Sequence, residues 1–293
     1  MPQSDQHIVI LPYFCQEEVE RYQVIANRLK EFPKPKVAHT YVLAASPRTE
    51  PSQQLYDTFA ELGPTRHFQC PTQIFGYPEG PTAMFWDCMD FVAAEYPGNS
   101  GFSLWLESDM APIKPDWLDQ LSDEWYSEGE PPVMMGCYVP DVYKYRLFQK
   151  RKLILDAHIN GGACYASDFA TRIATEARTG VFDVVVYRHA QEIGRAKATN
   201  AISFSTMDRV RRDLLDDEKV LLHGYLQEKD EFVQRCITPV TERERRTAAF
   251  VPVRNKLESW KRRVKVYFFR KGKKAMLDNM FNEKEKLQTR RAA

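Results

Sequence analysis

Two carboxylates one residue apart, Glu107 and Asp109, directly follow the apolar run FSLWL at 102–106. In open α/β sheets, ligands bind outside the carboxyl ends of strands. Alternate spacing there lets both groups approach one hard cation, directly or through water. One or two carboxylates plus substrate phosphates are an economical way to hold Mg²⁺ or Mn²⁺. Taken alone, the pair is equally compatible with the start of a solvated loop. A second place with chemical potential is His223-Gly224, which closes the apolar run VLLHG. His7, His39, His67, His158 and His189 show no ligand spacing.

These groups need a scaffold, and the hydrophobic pattern predicts one. His7–Phe14 is a continuous apolar run, the pattern of a strand buried on both faces. Val19, Tyr22, Ile25, Ala26 and Leu29 recur at helical spacing within 17–31, before Pro33 and Pro35. Val37–Ala45, His67–Phe75 and Phe102–Leu106 read as further strands. Gln53–Leu62, Thr82–Glu95 and Pro115–Trp125 read as the helices between and after them. Val133–Tyr138 is another strand, 141–155 a polar irregular stretch, and His158–Tyr165 a Gly-broken apolar segment. Ser167 is a plausible N-cap for a helix over 168–178, and Asp183–Ile193 is a further helix. Alternating strands and helices predict an α/β fold with a mixed, mostly parallel, Rossmann-like sheet.

The net charge of +1 conceals an asymmetry. Residues 1–241 carry 24 Lys+Arg against 34 Asp+Glu, a net of −10, whereas 242–293 carry 17 against 6, a net of +11. This predicts an acidic body over 1–241 and a basic extension over 242–293. A globally basic nucleic-acid binder is excluded, and no nucleic-acid module accompanies the tail. No window reaches the ~18–20 apolar residues of a membrane span. Six dispersed cysteines without a CxxC pair fit reduced thiols in a cytoplasmic protein.

WLESDMAPIKPDWLDQL (105–121) resembles the strand–DxD–loop–helix element of GT-A-type glycosyltransferases, with Glu107 in place of the first Asp. GPTAMFWDCMDFVAAEY (80–96) occupies the place of the helix before the metal strand, and HINGGACYAS (158–167) resembles the segment lining the sugar site. The likeness spans about 7–235. It implies transfer of a sugar, of the hexosyltransferase kind, from a nucleotide-sugar donor to a saccharide or lipid-linked acceptor. It implies Asp109 as direct metal ligand, with Glu107 and His223 completing a site for Mn²⁺ or Mg²⁺. HGYLQEK (223–229) matches the H-x-x-G-x-x-K setting of glycogenin-like members only in part, and leaves Lys229 or Arg235 to contact a pyrophosphate. Pro12, Tyr13, Phe14 and Ser108 are the implied nucleotide contacts; Asn160, Gly161 and Gly162 are the implied sugar or acceptor contacts. Asp183 fits the base of an inverting enzyme, or an ordinary helix N-cap. The tandem acidic pair of processive inverting enzymes is missing, and a retaining course stays open.

Two other readings compete. A sugar-phosphate nucleotidyltransferase should show a Gly-rich basic loop after the first strand, which LPYFCQEE lacks. A non-catalytic scaffold would need no metal. Residues 256–274 hold nine Lys+Arg and one acidic residue, with Leu257, Trp260, Val264, Tyr267 and Phe268 on one helical face. That pattern suits peripheral binding to an anionic membrane, or docking on the acidic body. Tyr143–Arg151 is compatible with an anionic or saccharide acceptor and equally with a solvated loop.

Overall fold

The computed structural model describes residues 5–140, 142–144, 152–155, 157–173, 178, 182–193, 195–224, 228–242 and 244–245. The chain divides into Met1–Pro239 and Val240–Ala293. The sheets and the helices covering them belong to the first unit.

Strand β1 (His7–Tyr13) is buried along its whole length. It pairs in parallel with β2 (His39–Ala45) and β4 (Phe102–Trp105), and β2 pairs in parallel with β3 (Thr65–Gln69). Its side chains alternate between two cores. Val9, Leu11 and Tyr13 pack with α1 (Gln16–Leu29), α2 (Gln53–Ala60) and α4 (Trp117–Tyr126). Ile8 and Ile10 face α3 (Glu79–Glu95), α5 (Phe169–Arg172) and α6 (Phe182–Glu192) on the other side. A strand covered on both faces must be apolar throughout, which is why β1 and β2 read as uninterrupted runs.

The full sheet has the order β10-β6-β9-β4-β1-β2-β3. In it, β6 is Met134–Val139, β9 is His158–Ala166 and β10 is Ala196–Ala198. Strand β9 runs antiparallel to both neighbours, so its beginning lies beside the end of β4. The chain order reverses between β1 and β4, which opens a crevice at their carboxyl ends. A second sheet, β11-β12-β5, joins Ile202–Phe204, Leu221–His223 and Met110–Pro112. Helices α7 (Val210–Asp213) and α8 (Lys229–Ile237) complete the unit. The expected α/β class, a mixed and mostly parallel sheet flanked by helices, is what the chain adopts.

All five apolar positions predicted for α1 are buried. Four local expectations need correction. The third strand ends at Gln69 rather than Phe75, because Pro71 has no N–H to give to a ladder. Within the stretch read as irregular, β7 (Val142–Lys144) and β8 (Lys152–Leu155) pair antiparallel. Residues 145–151 of the proposed acceptor stretch lie outside the described residues. Ser167 does not cap α5; its hydroxyl donates to the Gly101 carbonyl at 2.6 Å, and Asp168 is the N-cap. Finally, where the resemblance implies a loop after Asp109, residues 110–112 form β5, with consequences for the site.

Candidate active site

Three elements bring the candidate metal ligands together. Glu107 and Asp109 follow β4. Strand β5 then pairs antiparallel with β12 in a register that sets His223 opposite Met110. The backbone N–H of Gly224 donates to the Asp109 carbonyl at 2.9 Å and locks this alignment. His223 Nε2 consequently lies 3.4 Å from Glu107 Oε2 and 3.4 Å from Asp109 Oδ1. One ligand atom from each residue falls within 4.8 Å of the others.

The charges in this cluster are strongly interdependent. Burial alone would raise the Asp109 carboxyl, but His223 and Lys229 outweigh it and hold the group well below the usual carboxylate range. Burial would lower the His223 imidazole, yet Asp109 and Glu107 push it up to about 9. Lys229 Nζ sits 2.8 Å from Asp109 Oδ2, and the carboxylates raise its affinity for a proton against the effect of burial. Apart from the 3.4 Å approach of His223 Nε2, the buried Asp109 Oδ1 has no hydrogen-bond partner, and the buried His223 Nδ1 has none. A carboxylate oxygen so short of donors within a Glu/Asp/His set fits a divalent cation.

The cluster opens on a cavity of about 860 Å³. Asp183, in the first turn of α6, borders the same cavity. Its Oδ2 lies 3.6 Å from His158 Nε2. Burial raises this carboxyl above the usual range, with His158 partly opposing. Asp183 thus holds a proton more readily than an ordinary aspartate does. Pro12, Phe14, Ser108 and Asn160 also line the cavity. Tyr13 does not: the alternation of β1 turns it into the opposite core, fully buried, where its hydroxyl accepts from Ser52 N–H at 3.3 Å. The expectation of Tyr13 as a nucleotide contact is therefore corrected; Phe14, just past the strand, lines the cavity instead.

Gly161 and Gly162 serve as clearance rather than as cavity lining. A Cβ on Gly161 would lie 2.6 Å from the Phe182 ring, and one on Gly162 would lie 2.4 Å from Met110 Sδ and 3.2 Å from His223 Nδ1. Only side-chain-free residues let β9 approach the metal turn and β12 this closely. Asn160 Oδ1 accepts from Gly162 N–H at 3.1 Å. Arg235 is turned away from the cavity lining, and its carbonyl accepts from Arg211.

Sequence reasoning missed one face of α1. Glu18, Arg21 and Tyr22 share it at i, i+3, i+4 spacing. The Glu18 carboxylate accepts from Phe14 N–H at 2.6 Å, and burial raises its pKa. Arg21 donates to Ser108 Oγ at 2.6 Å. The buried Tyr22 hydroxyl lies 3.0 Å from the Pro12 carbonyl and 2.7 Å from that of Leu106, tying the ends of β1 and β4 together. Two polar residues flanking a tyrosine on an otherwise apolar face were the available signal. His158, set aside for lack of ligand spacing, is the neighbour of Asp183.

No family model and no curated protein matches the chain. Solved structures similar to it include 4-diphosphocytidyl-2C-methyl-D-erythritol synthase, at 9% identity over 80% of this chain and 98% of that one, with a TM-score of 0.48. Mouse xyloside xylosyltransferase 1 is similar at 11% identity over 75% and 97%, with a TM-score of 0.47. S. aureus TarS 1-349 in complex with UDP-GlcNAc is similar at 11% identity over 76% and 59%, with a TM-score of 0.45. Among the described residues, no helix is long and apolar enough to cross a membrane.

Proposed function

We propose that the chain is a metal-dependent glycosyltransferase of the hexosyltransferase kind, moving a sugar from a nucleotide-diphosphate sugar to an acceptor hydroxyl. The observation that carries this reading is the meeting of Glu107, Asp109 and His223 at a cavity that Asp183 also lines. Glu107, Asp109 and His223 would hold Mn²⁺ or Mg²⁺. The bound ion supplies Lewis-acid charge that offsets the negative charge gathering on a departing diphosphate. Lys229, already at the cluster, adds a second positive charge on that side. Phe14, Pro12 and Ser108 border the nucleotide end, and Asn160 the sugar end.

In an inverting course the acceptor oxygen attacks the anomeric carbon, the bond to the diphosphate breaks, and the acceptor proton passes to the Asp183 carboxylate. A raised proton affinity suits that task. The anomeric configuration of the product distinguishes this course from a retaining one. The two-residue connection Phe14-Cys15 between β1 and α1 has no glycine, which disfavours the phosphate-cradling loop of a nucleotidyltransferase.

Asp109→Ala is expected to abolish Mn²⁺-dependent donor hydrolysis and transfer; full activity overturns the reading. Thermal shifts with UDP- and GDP-sugars, with and without Mn²⁺, identify the donor, and no stabilisation by any of them favours a scaffold. The basic extension 242–293 lies almost wholly outside the described residues. Its composition supports a peripheral anchor to an anionic membrane carrying the acceptor, tested by co-sedimentation with anionic vesicles.

A further inference from the structure

Arg21 joins the two segments that carry the charges of the metal cluster. Its guanidinium Nη1 donates to Ser108 Oγ at 2.6 Å, and its Nε to Asp230 Oδ1 at 2.8 Å. Ser108 stands between Glu107 and Asp109. Asp230 follows Lys229, whose ammonium is 2.8 Å from Asp109 Oδ2. The contacts therefore form a closed ring: Asp109 to Lys229, along the backbone to Asp230, across to Arg21, and back through Ser108 to Asp109.

We propose that Arg21 is a positioning residue that fixes the 107–109 turn against the start of α8 so that the ligand atoms face one ion. This inference rests on the reading that Glu107, Asp109 and His223 bind a divalent cation. Arg21 is absent from the cavity lining, so it acts through Ser108 and Asp230 and not on substrate. The Asp230 side chain is 79% exposed, and an exposed ion pair adds little by itself. The buried bond to Ser108 matters more. A planar guanidinium with donors in a fixed fork can serve both acceptors from one rotamer, whereas a lysine ammonium presents a single point charge.

The test is a Mn²⁺ titration of the full chain, reading free Mn²⁺ by electron paramagnetic resonance at a temperature where circular dichroism shows each variant folded. Arg21→Ala should weaken Mn²⁺ binding roughly ten- to a hundredfold, the range seen when residues supporting metal ligands are lost. Arg21→Lys should recover little of it. Ser108→Ala removes the other end of the same bond with minimal disturbance and should weaken binding in parallel. The double variant should be no weaker than Arg21→Ala alone. A residue that merely stabilises the fold would lower the melting temperature and leave the Mn²⁺ affinity of the folded protein unchanged. Binding within twofold of wild type in Arg21→Ala, or in Ser108→Ala should Arg21→Ala not fold, overturns the proposal. A wild-type chain that binds no Mn²⁺ overturns the metal site itself.

Discussion

Asp109 and Asp183 face the same cavity, and both are largely buried, yet their proton affinities move in opposite directions. Asp109 is surrounded by the cations His223 and Lys229, which keep it ionised against burial. Asp183 has His158 at 3.6 Å, and burial prevails. The same side chain is therefore held ionised in one setting and binds a proton more readily in the other. Environment sets the proton affinity, and the residue type alone does not.

The largest expected effect separates the two carboxylates functionally. Asp183→Asn should lower kcat by about 10²–10⁴-fold, the usual contribution of a general base. Its Mn²⁺ affinity should stay within twofold of wild type, whereas Asp109→Ala should lose Mn²⁺ binding; a common loss in both would make them parts of one ion site. The pH profile sharpens the contrast. A base must be deprotonated to act, and burial raises the Asp183 pKa, so the acid limb of kcat should lie above that of an ordinary aspartate. Asp183→Asn should remove that limb, and a limb that persists unchanged assigns the base elsewhere.

Two buried histidines repeat the opposition. Carboxylates hold His223 up at about 9, while burial brings His7 down to about 4. His7 accepts from Phe102 N–H at 3.2 Å through Nδ1 and lies 2.9 Å from Ser122 Oγ through Nε2, an arrangement of the neutral ring. The unfolded chain takes up a proton near pH 6.5 and the folded chain only near 4, so stability should fall as pH drops through this window. The loss is on the order of 3 kcal/mol. Between pH 7 and pH 5 about 2 kcal/mol is lost; urea unfolding at the two pH values measures this, and His7→Gln should flatten the difference. The smallest effect concerns clearance: Gly162→Ala should destabilise the fold by about 1–3 kcal/mol through crowding of Met110 and His223. Thermal unfolding checks this, and an unchanged midpoint would show that β9 can yield.

The first half of the fold was legible because each buried strand and helix declares itself locally. In α1 the spacing of Val19, Tyr22, Ile25, Ala26 and Leu29 was sufficient. Glu107 and Asp109 were legible for the same reason, since they end an unmistakable apolar strand. The three-residue strands β5, β11 and β12 were not, because so short a segment carries no periodicity and is fixed by its partners. The role of His223 could therefore be suggested only by resemblance; its position depends on the pairing of β12 with β5. Tyr13 shows the converse. Its location at a strand end was readable, but the direction of its side chain follows from which face of β1 meets α1 and α2.

That pairing would also link binding of the proposed ion to assembly. Asp109 and His223 come from distant parts of the chain and share a site only once β12 has docked on β5. An unfolded chain offers no such constellation, so every ion bound favours the folded state by mass action. At a hundredfold excess over its dissociation constant, an ion bound only by the folded form contributes about 2.7 kcal/mol. With the proposed ion bound there, the closure of this small sheet would report how much free metal surrounds the chain.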